Sequence, residues 1–148
     1  MTAVPYKRPV KYLLDTNVIS ELVTKQPNQQ VVRWIDAVDA ESVYLSAITI
    51  GELSKGIERL PDSSRKDTLR TWLIDDLLVR FDGRLLTLDV DAMLTWGRLT
   101  AQMERMGRPL PAIDSLIAAL AIHHNCSLVT RNEDDFMGTG ATIINPWK

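Results

Sequence analysis

The stretch Val10-Lys11-Tyr12-Leu13-Leu14-Asp15-Thr16-Asn17-Val18-Ile19-Ser20-Glu21-Leu22 changes character at its middle. Val10–Leu14 is a short β-type run, and Asp15 then stands where aspartate commonly caps a helix, here one beginning at Thr16. The same change recurs along the chain. Further β-type runs at Val43–Ser46, Leu85–Leu88, Ser127–Thr130 and Thr142–Ile144 are separated by segments of helical spacing. This alternation predicts an α/β fold, with a small, mostly parallel central sheet flanked by helices on both faces.

The helical segments show which faces should pack. Val31, Ile35 and Val38 share one face, and Ile50, Leu53, Ile57 and Leu60 share another. Between Asp62 and Phe81, the spacing of Leu69, Trp72, Leu73, Asp76, Leu77 and Arg80 predicts one amphipathic helix capped by Asp62 or Ser63. A helix from about Asp91 to Met106 carries Met93, Leu94, Trp96, Leu99, Met103 and Met106, which fit the core, the favoured use, or else a partner face, and Gly107 supplies its stop. The last long helix is expected to start at Pro111 and run to about Asn125. It is apolar at every position from Leu116 to Ile122, so it should be buried, which makes the charge of Asp114 in its first turn informative.

With 148 residues, 45% of them hydrophobic and 24% charged, the chain is expected to form a single globular domain over residues 1–148. Its one cysteine, Cys126, has no partner for an intramolecular disulfide and no zinc-type spacing around it, which points to a reducing cytoplasm. Lys7, Arg8 and Lys11 precede an apolar stretch that ends at Asp15, too short for a signal peptide or a membrane span, so neither export nor membrane contact is expected. A net charge of −2 argues against strong non-specific nucleic-acid binding. It leaves room for a nuclease, because carboxylates that hold a divalent cation count as negative in that sum.

In open α/β sheets the ligand crevice lies beyond the carboxyl ends of the strands. Asp15 directly follows the first run, Glu52 lies six residues after Ser46, and Asn132-Glu133-Asp134-Asp135 follows Leu128-Val129-Thr130; Asp114 joins them from its helix. Carboxylates brought together repel one another unless a cation lies between them. An oxygen-only set favours magnesium or manganese over zinc. Each position also has a plainer use. Asp15 fits a helix cap, and Thr49-Ile50-Gly51-Glu52 fits a capping box. Asp114 fits a first-turn acid, and Asn132 fits a cap with Asp135 three residues on. The joint placement is what favours chemistry.

Four segments together resemble the PIN-domain family, and more narrowly the toxin half of VapBC-type toxin–antitoxin pairs, over nearly the whole chain. They are Leu13 to Leu22, Ser46-Ala47-Ile48-Thr49-Ile50-Gly51-Glu52-Leu53, Asp114-Ser115-Leu116-Ile117-Ala118-Ala119, and Leu128 to Phe136. The resemblance implies a PIN-like fold with Asp15, Glu52 and Asp114 as catalytic and metal-holding residues. Many relatives have aspartate where this chain has Asn132, and others place an acid three residues later; Asp135 is therefore the fourth acidic candidate, with Asp134 behind it. Thr16, Asn17, Thr130, Arg131 and Asn132 are expected to support the site. The resemblance further implies RNA as substrate, Mg2+ or Mn2+ as cofactor, a homodimer, and a cognate antitoxin through which alone the protein would meet operator DNA.

The expected reaction is hydrolysis by metal-activated water, leaving a 5′-phosphate and a 3′-hydroxyl. His123 and His124 close a helix and are expected to have no catalytic part, and Cys126 to be a buried apolar residue. Trp34, Trp72, Trp96 and Trp147 could stack on RNA bases, but Trp34, Trp72 and Trp96 follow apolar helical patterns that fit core or interface. Arg131, beside the proposed site, is a candidate phosphate contact, with a solvated surface arginine as the plainer alternative. A phosphatase of the haloacid-dehalogenase type would need an acid two positions after Asp15, where Asn17 stands. The other alternative is a catalytically silent PIN fold that only partners an antitoxin in autorepression.

Overall fold

The computed structural model describes residues 9–148, so Lys7 and Arg8 lie outside the described residues. Strands β1 (Lys11–Leu14), β2 (Val43–Ser46), β3 (Leu85–Leu86), β4 (Cys126–Val129) and β5 (Ile143–Ile144) form one sheet in the order β3-β2-β1-β4-β5. Every pairing in it is parallel. Each expected β-type run contributes a strand. The outer runs shrink to two residues, consistent with edge strands that pair on one side only.

The register sorts the core. Leu13 lies opposite Leu128 and Leu14 opposite Val129, and because strand side chains alternate, the two pairs point to opposite faces. On one face Leu13 and Leu128 pack with Leu99, Met103, Ile117 and Phe136. On the other Leu14 and Val129 pack with Val18, Val31, Leu53 and Leu73. The first face is covered by α6 (Val90–Arg105) and α7 (Ala112–His123), the second by α1 (Thr16–Leu22), α2 (Gln29–Ala37), α3 (Ala47–Glu58) and the segment after it.

Three local expectations are corrected. First, α3 begins at Ala47, and the Ser46 hydroxyl accepts the Thr49 N–H at 3.0 Å. Thr49 is thus the third helical residue, and Glu52 lies a turn too far along to reach back to the cap; the capping box that would give Glu52 its plainer use does not form. Second, the expected helix between Asp62 and Phe81 is capped by Ser63 but is not uniform. It runs as α4 (Ser64–Thr71), a π-helical stretch (Trp72–Leu77) and α5 (Leu78–Arg80). Leu69, Leu73, Leu77 and Phe81 recur every fourth residue, a spacing longer than the 3.6 of an α-helix, and the wider π turns help keep such a row on one face. Third, Met93, Leu94 and Met106 are exposed, while Ala92, Thr95, Leu99 and Met103 form the buried face of α6. The helix has more apolar residues than its contact with the alanine-rich α7 can cover.

Other ends are as expected or close to it. Gly107 (φ 70) stops α6 in a Schellman motif, with the Arg108 N–H on Met103 O at 2.9 Å and the Gly107 N–H on Glu104 O at 3.0 Å. Pro111 proves to be the cap before α7 rather than its first residue, since its ψ of 148 is extended. The buried Lys66 ammonium closes the end of α3, donating to Glu58 O and Leu60 O at 3.1 Å each and to Asp62 at 3.4 Å.

Candidate active site at the carboxyl edge of the sheet

Because β1, β2 and β4 run parallel, the residues that follow them meet at one edge. Asp15 follows β1, and its N–H donates to Val129 O of β4 at 2.9 Å. Its side chain is only 6% exposed. One carboxylate oxygen accepts the Thr16 N–H at 2.8 Å and so caps α1. The other accepts the Thr130 hydroxyl at 2.8 Å and faces the Asn17 amide at 3.4 Å. Cap and site are therefore the same residue, divided between two oxygens. The Thr130 oxygen in turn accepts from the Asn17 amide at 3.2 Å and the Asn132 N–H at 3.1 Å.

Glu52 is half-buried in the second turn of α3, where its Oε1 accepts the Thr16 hydroxyl at 2.6 Å. Thr16 also lies 3.0 Å from the buried Thr49 hydroxyl, itself 3.3 Å from Ser46. Sequence reasoning missed Ser46 and Thr49 as supports, because only the parallel placement of β1 beside β2 brings them to Thr16. Asp114 sits half-buried at the third position of α7, with no side-chain hydrogen bond among the described residues. Asp135 is exposed on a 3₁₀ turn (Glu133–Phe136).

Electrostatics ties these four groups together. Burial raises the Asp15 carboxyl above the ordinary aspartate value, the Thr130 and Thr16 hydrogen bonds oppose the rise, and the charges of Glu52 and Asp135 add to it. Burial also raises Asp114, with Asp15, Asp135 and Glu52 adding to the rise. Asp134, on the same turn as Asp135, acts instead on Lys148. Asn132 caps nothing with its side chain but lines the open cleft of about 470 Å³ into which Asp15, Glu52 and Asp114 face, together with Asn17, Arg131 and Trp147. Asn17 serves as a tie between Asp15 and Thr130. That use leaves no acid at the position a haloacid-dehalogenase-type phosphatase requires.

The PIN-domain family model matches residues 12–139. The chain belongs to the PIN-domain family. It is 40% identical to the VapC ribonuclease Y4jK of Sinorhizobium fredii over 136 residues, covering 92% of this chain and 97% of that one. It is 38% identical to Toxin FitB of Neisseria gonorrhoeae over 135 residues, covering 91% and 97% respectively. The solved structure of FitAB bound to a DNA fragment superposes with a TM-score of 0.89 at 36% identity, covering 93% of this chain and 96% of that one.

His123, His124 and Cys126 lie outside the cleft of this PIN domain. His123 and His124 end α7 on the side where β4 begins, at the opposite edge of the sheet from the acids. Burial, followed by the His123 charge, lowers His124 below the ordinary imidazole value. Burial raises the Cys126 thiol, so it is not an activated nucleophile. No helix among the described residues is long and apolar enough to cross a membrane.

The raised Asp114 carboxyl gives a pH dependence with a definite sign. Between the ordinary value of 3.8 and its higher folded value, the native state holds more protons than the unfolded chain. This group therefore favours folding at low pH and loses that contribution as pH rises through the folded value. In metal-free protein the Asp114→Asn variant, which cannot ionise, should gain in melting temperature relative to wild type as pH rises above the ordinary aspartate value of 3.8, until the gain levels off above the folded value. Differential scanning fluorimetry across that range checks it; a constant difference would mean the carboxyl is not raised.

Proposed function

We propose that this PIN domain is a divalent-metal-dependent endoribonuclease acting as the toxin of a type II toxin–antitoxin pair in the cytoplasm. One observation carries the reading: Asp15, Glu52 and Asp114 line one open cleft, where burial and the charges of neighbouring acids, Asp135 among them, raise the Asp15 and Asp114 carboxyls. Such repulsion opposes folding unless a cation relieves it.

The donor set fits magnesium or manganese. It is all oxygen, and among the described residues no three acidic or histidine side chains enclose an ion by themselves. Mg2+ commonly uses one or two protein carboxylates and keeps several waters. Asp114, with no hydrogen bond to surrender, and Asp15 would hold it, with Glu52 beside them. When bound, the cation would lower the pKa of a ligated water and neutralise phosphate charge, as phosphodiester hydrolysis requires.

The protein supplies the remainder. Thr130, Asn17 and the Thr16 N–H lock the Asp15 carboxylate, and the Thr16 hydroxyl locks Glu52. Both acids are then pre-set, so little reorganisation is needed as substrate binds. Cleft openness suits an RNA strand rather than an enclosed small molecule. The relatives' names, a ribonuclease and a toxin, agree with this activity. A cognate antitoxin, a homodimer, and contact with operator DNA through the antitoxin extend the same reading.

Incubating the purified protein with cellular RNA and Mg2+ should give new 5′-phosphate and 3′-hydroxyl ends, mapped by ligation-dependent sequencing. Primary 2′,3′-cyclic phosphates, or full activity in excess EDTA, would overturn the mechanism. Absence of cleavage with antitoxin present and removed alike would identify a silent binding partner.

A further inference from the structure

Among the described residues lining the acidic cleft, Arg131 is the only cation. Its guanidinium lies over the Trp147 ring, 5.5 Å from the centroid, and forms no ion pair among the described residues. The indole is itself held. Its ring N–H donates to Glu21 at 3.3 Å, and its body packs on the core cluster under the sheet. Asn145 joins the two residues: its amide donates to Arg131 O at 3.3 Å and its side-chain oxygen accepts the Trp147 N–H at 2.9 Å. The Arg131 N–H also faces Asn17 at 3.4 Å, one residue from the acids.

A guanidinium held against an aromatic ring by a cation–π contact loses rotational freedom, while its N–H donors that point away from the ring stay available. Such a fork suits a phosphate, which it can bind bidentately. No carboxylate among the described residues neutralises it, and it lines a cleft whose other charged groups are acidic.

We propose that Arg131, positioned by Trp147, is the clamp for an RNA phosphate beside the cleavage position. Arg131 touches substrate; Trp147 is a positioning residue that acts through Arg131. The inference rests on the RNA-cleaving reading above but concerns binding, so it is separable from turnover.

The test is equilibrium binding of a fluorescein-labelled single-stranded RNA of mixed sequence, in EDTA and over a range of salt, by anisotropy. Arg131→Ala should weaken binding about tenfold. It should also make the slope of log K against log salt shallower by about 0.7, the value for one phosphate contact on a single strand. Arg131→Lys keeps the charge but not the fork, so it should lose affinity while retaining the slope. Trp147→Ala should weaken binding several-fold in the wild-type background and have no further effect in Arg131→Ala, whereas Trp147→Phe should retain most of the affinity. In cleavage assays with Mg2+, Arg131→Ala should raise KM more than it lowers kcat.

Because Trp147 also packs on the core, each variant is melted first; if Trp147→Ala does not fold, the two Arg131 variants and Trp147→Phe carry the test. Unchanged affinity and salt slope in Arg131→Ala would overturn the proposal, as would a wild-type protein that does not bind RNA. Equal losses from Trp147→Ala with and without Arg131 would overturn the positioning role and mark Trp147 as a base-stacking surface. Normal clamp behaviour in a protein that cuts no RNA would instead count against the nuclease reading alone.

Discussion

Replacing Asp114 by asparagine should reduce RNA cleavage at least about 10³-fold, and abolish any growth arrest on expression, while leaving the protein folded. Asp114 makes no side-chain hydrogen bond among the described residues, and its carboxyl is pushed up by burial and by three neighbouring acids. Substitution keeps the shape, removes the charge that attracts a hard cation, and relieves the repulsion. Loss of its favourable first-turn charge changes stability by at most about 1 kcal/mol. Activity and stability should therefore separate cleanly. Calorimetry should show weaker Mg2+ binding alongside an intact melt. Near-wild-type turnover would sink the site.

Asp15→Asn should lose activity as completely, but less cleanly. As a cap, asparagine ranks with aspartate. The second oxygen is the difficulty: it accepts the Thr130 hydroxyl, and an amide NH2 placed there would meet the donors of Asn17 and Asn132 already directed at Thr130. The hydroxyl would lose its acceptor, which costs about 1 kcal/mol or more. Asp114→Asn is the sharper instrument for that reason.

Phe136→Ala should destabilise the fold by about 3–5 kcal/mol, lowering the melting temperature by roughly 10 °C for a domain of this size. Phe136 is 1% exposed and is the largest of the fully buried side chains. It belongs to the cluster that joins β1 and β4 to α6 and α7. Its place on the 3₁₀ turn gives the substitution a second effect. Asp135 precedes it on the same turn, and the turn is otherwise held by the Asn145 and Lys148 contacts to Glu133. Urea unfolding should show a lower midpoint with an unchanged slope. Below saturating Mg2+, the variant should also lose more activity than its folded fraction accounts for. A stability change under about 1 kcal/mol would mean that the turn is not anchored through this ring.

What the sequence determined by itself was the alternation of strands and helices, the parallel sheet between two helical layers, and Asp15, Glu52 and Asp114 as the acids to watch. Those features are written in periodicity and in position relative to strand ends, which are local properties. The burial of α7 was legible in the same way, from an unbroken apolar run beside one charge. Tertiary structure alone decided the rest. The capping-box pattern at Thr49 and Glu52 is sound local chemistry, yet Ser46 at the end of β2 captured the helix start, and the parallel neighbour β1 drew Glu52 to Thr16 instead. The apolar residues of α6 and its cap Met106 could not announce that Met93, Leu94 and Met106 would remain outside, because that depends on how much surface α7 offers. That Asp135 rather than Asp134 acts on Asp15 and Asp114, and that Trp147 lies under Arg131, depends on segments far apart in sequence. Such pairings are set by strand order and by the return of the chain's last residues to the cleft, and neither has a signature in any short stretch of sequence.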